Sequence, residues 1–184
     1  ICTYHGFCVR VLREDIEKIF YPKEFQIVDT SQQKALLEDI YQKFELKLDH
    51  GSFEKIVKQI SSYKSLHRDY VEKMCCTDNV QIKDSVETLD DQIIESYLQH
   101  QKKIYAMDFN DLMYFTLDIF YKCEDVLEKW QDKLNYIQVD EFQDSSKTEM
   151  KSPCRVKRDR ETHCMAVFLQ PLFSLPLFIL KNAI

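Results

Sequence analysis

The stretch NYIQVDEFQDSS, residues 135–146, decides the reading of this chain. Tyr136, Ile137 and Val139 make an apolar run of strand type. It ends in two adjacent carboxylates, Asp140 and Glu141, with Gln143 and Asp144 close behind. An aspartate delivered at the carboxyl end of a buried strand is placed to hold a magnesium ion that bridges the phosphates of a nucleoside triphosphate. The carboxylate after it is placed to orient and deprotonate an attacking water. Asp140 fits the first role and Glu141 the second. Gln143 is positioned to sense the γ-phosphate or the water, and Asp144 to fix a neighbouring loop. A bare Asp-Glu pair at a strand end is usually a solvated turn. The weight therefore rests on the longer pattern of strand, Asp, Glu, aromatic, Gln, Asp.

Such a site also needs a glycine-rich loop to cradle phosphates. Residues 1–184 contain only two glycines, Gly6 and Gly51, so no such loop lies among them. The expectation is one part of a motor whose other parts lie elsewhere. Ile1 in first place, with no signal peptide after it, fits an N-terminus internal to a longer product.

Apolar residues make up 45% and charged residues 30%, a balance that supports a buried core rather than a disordered chain. Two glycines and four prolines point to long helices and few tight turns. The net charge of -6 argues against a protein that coats nucleic acid by bulk charge, though not against a local basic groove. The seven cysteines are odd in number and form no CxxC pair, which favours a reducing, cytoplasmic setting over a disulfide framework or zinc site. The apolar stretch at residues 165–180 is too short to span a bilayer, and Pro171 and Pro176 interrupt it. No membrane partner is expected.

Apolar spacing predicts helices over residues 5–20, from the caps at 29–31 to about Leu46, from Ser52 onward, and over 90–106, 109–122 and 124–132, with a polar helix or two over 65–76. Asp29, Thr30 and Ser31 with Gln32 and Gln33 offer a capping box, HGS at 50–52 reads as a helix break, and Asp108 reads as a cap. Residues 25–28 are a short extended run, and 136–139 form the one strand that pattern alone supports. After Met150 the sequence turns basic and unpatterned, then apolar without helical or strand alternation. That segment reads as foreign to the fold before it.

Three ordered segments resemble superfamily 1 DNA helicases of the UvrD/Rep/PcrA type. TYHGFCVRVLR (3–13) is similar to the family's single-strand-contacting motif. MDFNDLMYFTLDIF (107–120) is similar to the helix by which the chain re-enters the motor core. YIQVDEFQDSS (136–146) resembles the family's Walker B motif. The resemblance covers roughly residues 1–150 and implies an α/β fold by ancestry, a fragment of a P-loop NTPase motor domain, mostly helical in this chain with one core strand. It divides the chain into a motor-core segment (1–20), a helical insertion subdomain (21–106), a second motor-core segment (107–150) and a divergent tail (151–184). It implies ATP and Mg2+ as cofactors, with single-stranded and duplex DNA as partners. Asp140 and Glu141 take the positions of magnesium ligand and catalytic base. Gln143 and Asp144 take the remaining motif positions, and Thr3 and His5 those that meet the DNA backbone. The intact family unwinds DNA 3′ to 5′ using ATP. This chain alone is expected to be inactive, the missing motor segments being supplied by a parent chain.

Blander readings stand beside these. His5 at a helix start suits a packed or capping residue, and Asp108 and Asp111 suit caps. Lys55, Lys58, Lys64, His67 and Arg68 suit a solvated helix face. Tyr114, Phe115, Phe120 and Tyr121 suit core positions, since stacking on bases needs exposed rings beside a basic groove. A non-catalytic DNA-binding module, a subunit of an AddA/RecB-type helicase-nuclease, and a frameshifted product with no function of its own are the competing readings.

Overall fold

The computed structural model describes residues 2–67, 69–76 and 80–134, and the strand backbones at 136–140, 163–167 and 177–181. These form two compact units: residues 19–114, and residues 1–18 together with 115–184.

The first unit is helical. α2 (Thr30–Lys43), α3 (His50–Leu66), α4 (Tyr70–Cys75) and α5 (Leu89–Lys103) pack around Leu37, Ile40, Ile56, Ile60, Ile93 and Leu98, all buried. Their starts are set by side-chain caps that satisfy otherwise orphaned N–H groups. Asp29 accepts from Gln32 N at 2.8 Å while Gln32 accepts from Asp29 N at 3.0 Å, the expected capping box. Thr88 and Asp91 repeat the device on α5. Two short strands, β2 (Gln26–Ile27) and β3 (Ala106–Met107), pair in parallel. β3 occupies the end of the segment read as helical to 106, because α5 stops at Lys103 and Tyr105 turns left-handed at φ 50°.

A second boundary also moves. The break after α2 falls where Glu45 turns left-handed at φ 58°, and HGS opens the next helix instead of ending the last. Asp49 is the reason: its carboxylate accepts from Ser52 N at 2.7 Å and caps α3, with Gly51 inside the first turn.

The second unit carries the larger sheet. β1 (Cys2–Thr3) leads into α1 (Tyr4–Asp15) and a 3-10 turn (Ile16–Ile19) whose last residue belongs to the helical unit. α6 (Phe109–Lys122) passes from one unit to the other between Tyr114 and Phe115, and α7 (Glu124–Lys133) follows. Phe7 of α1 meets the Trp130 ring edge-on at 5.5 Å and lies 6.4 Å from Phe120. Asp15 ties α1 to α7: it accepts from Trp130 Nε1 at 2.9 Å and from Lys129 Nζ at 2.7 Å. The sheet runs in the order β1-β6-β4-β5, with β4 (Tyr136–Asp140), β5 (His163–Val167) and β6 (Leu177–Lys181). β4 is internal, parallel to β5 and antiparallel to β6. Two of these strands lie after Met150, where neither alternation nor helical spacing is visible. LFILK at 177–181 is an apolar run closed by a lysine, without the alternation that marks a half-buried strand, and β6 is internal in the sheet.

The chain is thus mostly helical, with the strand expected at 136–139 in the interior of a small sheet. Among the described residues no helix is long and apolar enough to cross a membrane. No described group of His, Cys, Asp and Glu has the makings of a metal site.

Candidate functional site

Asp140 is the last residue of β4, opposite Val167 on β5. Thr3 is the last residue of β1, opposite Leu177 on β6. Because β1 and β4 are both antiparallel to β6, they run in the same direction. Their register coincides too: Cys2 and Val139 face the same residue, Phe178, from its two sides. Thr3 and Asp140 therefore leave the sheet at one edge, each a residue beyond that shared partner. Two strand spacings, about 10 Å, separate their backbones.

α1 starts at this edge. Thr3 is its cap, with extended backbone and a hydroxyl that accepts from Gly6 N at 3.1 Å. Gly6 lets that approach happen: a Cβ there would stand 3.2 Å from Thr3 Oγ1 and 3.5 Å from Cys2 Cβ. His5 sits in the first turn, partly exposed, while Tyr4 and Phe7 turn into the core. The N-terminus of a helix presents N–H groups and the positive end of its dipole, which suits an anionic backbone. Glu141, Gln143 and Asp144 lie outside the described residues, as do Arg68 and the basic cluster Arg155, Lys157, Arg158 and Arg160.

The reading of Lys64 as part of a solvated face is overturned. Lys64 is 2% exposed and sits 2.6 Å from Asp108 and 2.8 Å from an Asp111 carboxylate oxygen. Gln101 Oε1 accepts from it at 3.0 Å. Asp111 also accepts from the Tyr70 hydroxyl at 2.9 Å and from Gln101 Nε2 at 3.2 Å. Asp108 and Asp111 exchange caps: Asp111 N donates to Asp108 Oδ1 at 3.0 Å and Asp108 N to Asp111 Oδ2 at 2.9 Å. Their reading as caps holds, and a buried ion triad is added to it. Burial and the charge of Asp108 push Asp111 up to about 6. Burial opposes the charges on Lys64 and Asp108 as well, but their mutual attraction wins, raising Lys64 and lowering Asp108. No periodicity announces this cluster. Its one visible signal was a lysine among the apolar positions of α3.

A sequence profile of the UvrD/REP helicase N-terminal domain matches residues 1–166. The chain belongs to that family. It is similar to the ATP-dependent DNA helicase PcrA of Staphylococcus aureus strain Mu50, at 28% identity over 157 residues. That alignment covers 80% of this chain and 20% of the relative. The PcrA of Leuconostoc citreum is 32% identical over 149 residues, 79% of this chain and 19% of its own length. The chain thus spans about a fifth of the length of these curated relatives. The family match runs past Met150 and takes in most of β5.

Asp140 is the described residue placed to hold a magnesium nucleotide. Its backbone closes an internal strand flanked on one side by a parallel neighbour, and a hard carboxylate oxygen is the donor type that magnesium takes. The position and the chemistry agree with the group.

Proposed function

We propose that residues 1–150 form the middle of the first motor domain of an ATP-dependent 3′–5′ DNA helicase working in the cytoplasm. The observation that most supports this is the common sheet edge of Thr3 and Asp140, the ends of β1 and β4 related through Phe178. An ATPase that moves along DNA has to couple its nucleotide to its strand, and one edge carrying both motifs makes that link short.

Asp140 would hold the magnesium, and the ion would supply charge neutralisation across the phosphates. Glu141 takes the proton of the attacking water, and Gln143 and Asp144 relay the state of the γ-phosphate. Thr3 and His5 meet the strand at the start of α1. Residues 21–106, which lie within the helical unit, are assigned to the insertion subdomain, and residues 151–184 to a divergent tail. A helicase-nuclease subunit of AddA/RecB type would use the same residues in the same roles.

Residues 1–184 carry no phosphate loop, so this chain by itself is expected not to hydrolyse ATP. Turnover by the purified chain that disappears in Glu141→Gln would overturn that expectation. In a full-length protein carrying these residues, Asp140→Ala should weaken magnesium-dependent nucleotide binding and leave binding without metal unchanged. Equal binding with and without magnesium in both proteins would remove Asp140 from its assigned role.

A further inference from the structure

The helical unit contains a cavity of about 500 Å³ lined by Phe20, Tyr21, Cys76, Lys102, Lys103 and Tyr105, among others. Two of its residues are backbone outliers. Of three described non-glycine residues with positive φ, two are Phe20 at 60° and Tyr105 at 50°. Both follow the end of a helical segment, where glycine is the usual left-handed residue. A side chain in that conformation is disfavoured relative to glycine, and residues so held are found at ligand sites as well as at helix ends.

The strain has a visible product. Phe20 is 87% exposed and Tyr105 50% exposed, two large rings held out beside the same cavity. The Tyr105 ring is braced edge-on against Tyr21 at 5.6 Å. The lining includes Lys102 and Lys103 and no carboxylate, on a chain whose net charge is -6. Lys102 donates to the Lys73 carbonyl at 2.9 Å. Lys103 is exposed and has no ion pair among the described residues. Lysines in a last helical turn also complement the helix dipole. A left-handed residue is also a common way to end a helix, and the Tyr105 amide donates to the Lys102 carbonyl at 3.2 Å. The exposure of two large rings beside one cavity has no such explanation, and it carries the argument.

We propose that this cavity is a nucleobase-stacking subsite for single-stranded nucleic acid: a base lies against Phe20 and Tyr105, and the adjoining phosphate meets Lys103. Exposed rings beside basic groups are what sequence-tolerant binding of single strands requires. The strand as occupant rests on the proposed DNA-dependent function. The subsite itself belongs to the helical unit and lies apart from the Asp140 chemistry in sequence.

The test uses the whole 184-residue chain and two fluorescent probes at low salt, a dT oligonucleotide and an abasic strand of equal length. The chain should bind the dT strand about tenfold more tightly than the abasic one. Phe20→Gly and Tyr105→Ala should each erase that preference. Phe20→Gly should at the same time raise the melting temperature, because it relieves the left-handed strain. A purely structural Phe20 would not separate the two readouts in that way. Lys103→Glu should weaken both probes alike and flatten the salt dependence. The proposal is overturned if the chain does not distinguish the probes, if it binds neither, or if Phe20→Gly binds dT as tightly as the parent. None of these results bears on the magnesium-dependent nucleotide binding assigned to Asp140.

Discussion

Two aspartates show how differently the regions of this molecule use the same side chain. Asp111, at the start of α6 in the helical unit, is wholly buried and accepts from Lys64, Tyr70, Gln101 and the Asp108 amide. Every donor around it belongs to the protein, so it holds the fold together. Asp140 closes an internal strand at a sheet edge beside the start of α1, in the unit formed by residues 1–18 and 115–184. That edge is where open α/β sheets bind ligands. A buried carboxylate with its own lysine is architecture. The role proposed for Asp140 is the opposite, to hold a ligand that the chain does not itself provide.

The largest effect expected from breaking this comparison is at Lys64. Lys64→Met leaves two carboxylates buried without their cation and should destabilise the helical unit by about 3–5 kcal/mol. Replacing Asp111 with Asn in the same protein should recover part of that loss, because one of the stranded charges is gone. Urea unfolding of the single and double variants measures both. A single variant as stable as the parent would show that Lys64 is not the centre of the cluster.

Next in size is the dependence on pH. Lys64 is raised in the folded state above its unfolded value of about 10.4. Its contribution is complete below that pH and is lost as the pH rises through the folded value. Asp111 behaves in the opposite sense to an ordinary paired carboxylate. Raised to about 6, it binds its proton more tightly when folded, so its contribution falls as the pH climbs from about 4 through 6. Between pH 5 and pH 7 the parent should lose stability relative to Asp111→Asn. Parallel stability profiles for the two proteins would contradict this.

Much of the helical framework was legible because its causes are local. Asp29 and Gln32 are three residues apart, and their capping box can be read in the sequence and found at 2.8 and 3.0 Å. Lys64 was misread because its partners lie 44 and 47 residues away, and a lysine on a helix gives no sign of a distant carboxylate. The extended run at 25–28 anticipated β2, whereas β3 escaped because it is two residues long and no pattern has room to form. At the candidate site the carboxylate motif was plain in the sequence, and so was the TYHGF motif. Their common edge was not. It depends on the register of β1 and β4 against β6, and register is a property of the assembled sheet.

Smaller effects sharpen the account of the sheet unit. Thr3→Val should remove the cap on α1 and cost about 1 kcal/mol, whereas Thr3→Ser should keep it. If Thr3 also meets DNA, both effects should appear in strand binding by a full-length protein, with the serine variant close to normal. Smallest of all is Lys18→Ala. Its exposed pair with Asp125 at 2.7 Å should leave the melting temperature almost unchanged, and a chain melting several degrees lower would mean the pair does more than its exposure suggests.

The most direct test is single-strand-stimulated ATP turnover by a full-length protein carrying these residues, measured for Glu141→Gln beside the parent, with both melting curves recorded. The account expects turnover to fall by about 10²-fold or more while nucleotide binding and melting temperature stay the same. Undiminished turnover in Glu141→Gln would contradict it, and would place the carboxylate after Asp140 with Asp111, among the residues that build the protein and not among those that work it.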